Sequence, residues 1–249
     1  MNTVQLNVDE LKGFIRHMVK NNQHIQSEGK IPVAINIEGD AGLGKTSAIL
    51  QLGKELGMEV VKLNLSQIEE LGDLVGFPVK EFLVKNQEGK QRWITEAQVP
   101  AAMKAGYTVA DKRMSHAAPE WIQGKGEGGF LILDDYTRAD QRFMQACMEV
   151  LDRQEYISWK LPKNWHVILT TNPDNGDYNV TTLDVAQKTR FISVEMKYDV
   201  NVWAKWAEKA AIDGRCINFM LMHPELVTQR VNPRSITTFF NGISSIPKF

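Results

Sequence analysis

One stretch constrains this chain more than any other: Gly39-Asp40-Ala41-Gly42-Leu43-Gly44-Lys45-Thr46. It follows the apolar run Pro32-Val33-Ala34-Ile35-Asn36-Ile37. A helical pattern opens at Ser47, with Ile49, Leu50, Leu52 and Leu56 on its core face and Gly57 as its stop. Strand, glycine loop and helix in that order are the context of a phosphate-binding loop. Glycines lack a Cβ, so the backbone can curl and aim successive N–H groups at phosphate oxygens. The helix adds unsatisfied N–H groups and the positive end of its dipole. The candidate nucleotide-binding residues are therefore Gly39, Asp40, Ala41, Gly42, Leu43, Gly44, Lys45, Thr46 and Ser47. Lys45 is expected to reach the β/γ-phosphates, and the Thr46 hydroxyl to ligate Mg2+.

Composition narrows the rest. The chain has 249 residues, room for one large α/β domain with a small appendage. Its formal net charge is −1 and its pI about 6.5, which argues against a whole-molecule affinity for nucleic acid or anionic membrane. The two cysteines, Cys147 and Cys216, form no Cys-x-x-Cys pair and read as small core residues of a reducing compartment. The five histidines lack ligand-like spacing, so no zinc site is expected. No secretory leader or membrane-length apolar run is read, and the expected location is the cytoplasm.

Leu11, Phe14, Ile15, Met18 and Val19 predict an amphipathic helix ahead of the first strand. Glu59–Asn64 reads as a short strand, followed by a helix from near Ser66 with Glu69 in a capping box. Residues 82–84 and 92–94 flank Asn86-Gln87-Glu88-Gly89-Lys90 and predict a β-hairpin. Gln98 to Gly106 predicts a short helix, and residues 108–128 show no period and read as a long loop. Phe130-Leu131-Ile132-Leu133 is a continuous apolar run, the mark of a strand buried on both faces. A helix from about Ala139 to Leu151 follows. A second hairpin is read near 155–161, with a turn at Leu161-Pro162-Lys163-Asn164. Trp165–Thr170 and Phe191–Glu195 are further strands, with a short helix near 183–189 between them. From Val200 the pattern is helical only, which places a boundary near Lys197.

Four features stand where nucleotide hydrolysis would need them. Asp134 and Asp135 end a buried strand; the first suits a magnesium ligand, the second an orienter of the attacking water. Asn172 follows the next strand, where its amide could meet the γ-phosphate, although Asn-Pro is also an ordinary turn. Arg190 precedes the last strand and could lend charge to a transition state, or simply close a helix against its dipole. Arg234 opens a helix after Asn232-Pro233 and could reach back to the γ-phosphate, or stand solvated.

These residues resemble the AAA+ ATPases and, among them, the MoxR-like branch, over nearly the whole chain. The resemblance rests on Gly39 to Thr46 (Walker A), Phe130 to Asp135 (Walker B), Thr171-Asn172-Pro173 (sensor 1), Thr189-Arg190-Phe191 (arginine-finger box) and Pro233-Arg234 (sensor 2). Asp73-Leu74-Val75-Gly76 with its hairpin is similar to the branch's helix-2 insert, and Asn172 to Tyr178 also fits. The chain departs from the branch at Asp135, where a glutamate is usual. The resemblance implies a P-loop α/β fold, a three-layer α/β/α parallel sheet over residues 1–197 with a short all-α lid over 198–249. It also implies ATP and Mg2+ as cofactors, a nucleotide-dependent homo-oligomer such as a hexameric ring with Arg190 acting on the neighbour's ATP, and a von Willebrand factor A-type partner. The two hairpins would line the ring's axial face.

The leading expectation is an ATP hydrolase that remodels or matures a protein complex. Two alternatives stay open: an assembly switch that hydrolyses slowly, as the shorter Asp135 would favour, and a nucleic-acid-directed NTPase of a neighbouring AAA+ branch, against which the balanced charge weighs.

Overall fold

The computed structural model describes residues 3–176, 178–228 and 231–244. Asp177, within the Asn172–Tyr178 motif, and the last five residues of the expected lid lie outside them. In chain order the elements are β1 (Val4–Leu6), α1 (Val8–Ser27), β2 (Ala34–Glu38), α2 (Lys45–Leu56), β3 (Glu59–Asn64), α3 (Leu71–Val75), β4 (Pro78–Lys85), β5 (Gln91–Thr95), α4 (Val99–Lys104), β6 (Thr108–His116), β7 (Gly129–Asp134), α5 (Gln141–Arg153), β8 (Glu155–Tyr156), β9 (Trp159–Lys160), β10 (Trp165–Thr171), α6 (Val185–Lys188), β11 (Phe191–Met196), α7 (Val200–Lys209), α8 (Gly214–Met222) and α9 (Pro233–Ile243).

Six strands form one parallel sheet in the order β1-β11-β2-β10-β7-β3. Its central strands are apolar throughout because helices cover both faces. On β7, Phe130 and Ile132 point into one layer, with Leu11 and Ile15 of α1 and Ile49 and Leu52 of α2. Leu131 and Leu133 point into the other, with Phe143, Cys147 and Leu151 of α5. Each such side chain is essentially inaccessible, and its burial is worth roughly 1.5–3 kcal/mol. This is the expected three-layer α/β/α arrangement. The helices α7–α9 close over a separate small core of Trp203, Ala207, Met220, Ile236 and Phe240.

The helix ends follow local chemistry. Asn7 and Glu10 form a capping box at the start of α1. Gly57, at φ 64°, ends α2 in the left-handed conformation that the sequence assigned to it. Among the described residues no helix is long and apolar enough to cross a membrane.

Four expectations are corrected. The helix expected from Ser66 is a short 3-10 turn at Leu65–Gln67, and the helical turn proper is α3, five residues later, with no side-chain cap from Glu70. The loop read over 108–128 begins with the nine-residue strand β6, which pairs antiparallel with β4 and completes a three-stranded sheet, β5-β4-β6. Residues 108–114 are exposed, so no burial period marks them as a strand. The second hairpin turns at Ile157-Ser158, between β8 and β9, rather than at Leu161–Asn164. Cys216 is only partly buried on α8, whereas Cys147 is a core residue whose thiol burial pushes up to about 12. The edge strand β1 carries no sequence signal of its own.

Candidate nucleotide site

The parallel sheet puts the carboxyl ends of β2, β10 and β7 side by side, and the candidate residues other than Arg190 are grouped at that mouth. After β2 the chain enters the glycine loop. Gly42 and Gly44 have φ of 80° and 97°, values that L side chains rarely adopt. A Cβ on Gly42 would also come within 2.4 Å of the Asn232 side chain, so the start of α9 lies directly against the loop. No side chain caps α2 at Gly44, and the first-turn N–H groups of the helix have no intrahelical acceptors. The Ala41 N–H donates to the Tyr178 hydroxyl at 3.2 Å.

Lys45 is buried at the first turn of α2. Its ammonium donates to Gly39 O at 2.6 Å, Asp40 O at 3.0 Å and Asn172 Oδ1 at 3.1 Å. Burial lowers its pKa to about 8, with Asp135, Asp134 and Asp40 opposing that shift and the positive charge of Arg234 adding to it. Arg234, exposed near the start of α9, is thus close enough to the loop to be felt by Lys45.

Asp134, the last residue of β7, gathers donors from three other elements. Its Oδ1 accepts hydrogen bonds from Thr46 Oγ1 and Thr170 Oγ1, each at 2.6 Å. Lys62 of β3 places its Nζ 3.0 Å from Oδ2. Burial raises the carboxyl pKa, but the hydrogen bonds from Thr170, Thr46 and Lys62 outweigh it and hold the group below the usual carboxylate range. Asp135 follows in the left-handed region, with φ 53° and ψ 39°, its N–H donating to Thr170 Oγ1 at 3.1 Å. That turn throws its carboxylate out of the strand direction, half-exposed, 3.9 Å from Arg138 Nη1.

The structure therefore brings together Gly39 to Ser47, Asp134, Asp135, Asn172 and Arg234. It does not bring Arg190 to them. Phe191 is paired with Ala34, at the amino end of β2, while the loop leaves the carboxyl end after Glu38. Six residues of strand separate the levels of Arg190 and Gly39, about 20 Å. There Arg190 Nε donates to Asp152 Oδ2 at 2.7 Å and Nη1 to Ala186 O.

No protein-family model matches the chain. Over 183 residues, 71% of this chain, it is 23% identical to midasin of Giardia intestinalis. Over 57 residues, 23% of this chain, it is 39% identical to midasin of Dictyostelium discoideum. These matches span 3% and 1% of the midasins' own length. Among solved structures, the Thermotoga maritima RuvB Holliday junction branch migration motor superposes with a TM-score of 0.53 at 14% identity, covering 96% of this chain and 64% of RuvB. A point mutant of the same RuvB gives 0.54 at 13% identity with the same coverage. The fold is that of the AAA+ ATPases.

Within this AAA+ fold, four contributors escaped the sequence reading. Thr170 and Lys62 hold Asp134, Tyr178 bridges Ala41 N–H and Asp40 Oδ1, at 3.3 Å from the latter, and Asn232 braces Gly42. A threonine at the carboxyl end of a strand beside β7 was the one signal available for the first. The donor set at Thr46 and Asp134 is hard oxygen only, hydroxyl and carboxylate, which suits magnesium rather than a softer metal.

Proposed function

We propose that this chain is a magnesium-dependent ATP hydrolase of the MoxR-like type, working as a nucleotide-dependent homo-oligomeric ring that remodels or matures a protein complex. The observation that carries the reading is the 2.6 Å contact between the Thr46 hydroxyl and the Asp134 carboxylate at the mouth of the glycine loop. A bare phosphate-binding turn would not need a strand-end carboxylate there. Magnesium bound at Thr46 and Asp134 would neutralise charge on the β/γ-phosphates.

The chain's own groups have separable roles. The loop N–H groups and α2 bind the phosphates, and Lys45 turns its charge to the β/γ-oxygens. Asp135 and Asn172 orient the attacking water, with Asp135 taking up its proton. Arg234 adds charge from α9. The distance between Arg190 and the loop of its own chain supports action on a neighbour's nucleotide. The core would run to 197 and the lid from 198, and the hairpins at 82–94 and 155–161 would line the ring's axial face. A von Willebrand factor A-type protein is the proposed partner class.

Light scattering with and without a non-hydrolysable ATP analogue, paired with a phosphate-release assay, tests this reading. It expects assembly on nucleotide addition and magnesium-dependent turnover. A monomer in both conditions with no turnover would remove it. Asp135 favours one second reading, an assembly switch that turns over slowly, because aspartate is one methylene shorter than the usual glutamate. Salt-dependent DNA binding with DNA-stimulated turnover would instead favour the nucleic-acid-directed alternative.

A further inference from the structure

Lys62 has no part in the reading above, yet it makes an ion pair with the central carboxylate. It sits on β3, the edge strand beside β7, where its Cα partner is Ile132. Its side chain runs two residues toward the mouth and sets Nζ 3.0 Å from Asp134 Oδ2. The other oxygen, Oδ1, already accepts from Thr46 and Thr170. Each oxygen of Asp134 is therefore engaged, and the Oδ2 side is engaged by a full positive charge. The two ends of the pair differ in freedom. The Asp134 side chain is 11% exposed and pinned by two hydroxyls, whereas Lys62 is 40% exposed on a flexible stem.

We propose that Lys62 is a tethered counter-cation for Asp134, one that keeps the carboxylate aimed while no metal is bound and must leave Oδ2 when a divalent cation enters. A second cation at the Thr46–Asp134 pair would lie within a few ångströms of the ammonium, and like charges that close repel strongly. Lys62 can relieve this by swinging into solvent; Asp134 cannot move without losing both hydroxyls. Lys62 thus competes with the metal and sets how much magnesium the site requires. It is a positioning residue, acting through Asp134. The inference rests on the reading of Thr46 and Asp134 as the metal holders.

The test is a binding measurement on the full chain and needs no turnover. A fluorescent ADP is titrated at increasing Mg2+, and the concentration giving half of the metal's effect on binding is read. Lys62→Met should lower that concentration about tenfold, the size of effect that removing one nearby repelling charge gives in a partly solvated site. Lys62→Arg, which keeps the charge, should stay near the parent value, and thermal melting should show both variants folded. Asp134→Asn serves as the reference for the metal site and should raise the concentration. If Asp134→Asn raises it and Lys62→Met leaves it unchanged or higher, the role of Lys62 is overturned and the metal site stands. If Asp134→Asn matches the parent, the metal assignment fails and takes this inference with it.

Discussion

The ammonium of Lys45 lies 3.1 Å from Oδ1 of Asn172, a residue 127 positions further along the chain. With Gly39 O and Asp40 O it has three oxygen acceptors for its three hydrogens. The glycine loop and the tip of β10 are thereby tied through one buried charge. A phosphate entering the loop would have to take at least one of those hydrogens.

Lys45 carries a pH dependence whose sign is fixed by its lowered pKa, about 8. A lysine whose folded pKa lies below its unfolded value near 10.4 costs stability wherever the folded state must carry the charge. The unfolded chain binds more protons between pH 8 and about 10.4, so stability of the nucleotide-free chain should rise across that window and be flat below it. The full effect is on the order of 3 kcal/mol. Urea melts at pH 7, 9 and 10 should show the rise, and Lys45→Met should be flatter and more stable than the parent at pH 7. An equal slope in both proteins would remove the assignment.

Thr46→Ala takes away a hydroxyl from Asp134 and from the proposed metal. Magnesium-dependent ADP affinity should fall about tenfold, the worth of one charge-assisted hydrogen bond. ADP affinity in excess chelator should stay within about twofold, because the loop N–H groups and Lys45 remain. Isothermal titration in the two buffers separates these outcomes.

Arg190→Ala should reduce phosphate release by a factor of about 10³ or more while nucleotide binding stays nearly intact. Mixing decides where the residue acts. Subunits carrying Lys45→Ala keep Arg190, and subunits carrying Arg190→Ala keep the loop. Combining two inactive preparations should restore part of the activity if the arginine serves a neighbour. Mixtures as inactive as either component would place Arg190 outside the chemistry.

Asp135→Glu should raise turnover several-fold, because the longer side chain reaches further from the same left-handed turn. A phosphate-release assay reads this directly. A slower variant would show that the site is built around the shorter carboxylate.

His166 offers a test of the core that is independent of any nucleotide. It is buried on β10, its Nδ1 lies 3.4 Å from the Asn22 amide, and its Nε2 is buried with no partner among the described residues. Burial lowers its pKa to about 4. Here the folded pKa is below the unfolded value near 6.5, so the neutral ring's contribution is complete above pH 6.5 and is lost as pH falls toward 4. His166→Phe should melt with less acid sensitivity over that range. It should also lose the Asn22 contact, at a cost of about 1 kcal/mol at neutral pH.

The legible parts of this fold were those with a local period. β7 and β10 read as buried strands because helices cover both of their faces, and the glycine loop read as an anion site because its spacing is itself the geometry. β6 was not legible: Thr108 to Met114 face solvent on both sides, so nothing in their polarity marks a pairing with β4. Lys62 was not legible for a different reason. Its meeting with Asp134 depends on the register between β3 and β7, whose paired residues, such as Asn64 and Asp134, lie 70 positions apart in the chain. Asp134, Asn172 and Lys45 were legible as types and order, while the hydrogen bonds that join them were not.

The strand register of β11 has one more consequence. It gives the molecule two unlike rims, a cationic side chain held by Asp152 on one and an anion cradle on the other. Were the cationic rim of one copy to meet the cradle of another, a twofold pair would have to make that contact twice within one interface, whereas a head-to-tail series would leave one rim of each kind open unless it closed into a ring.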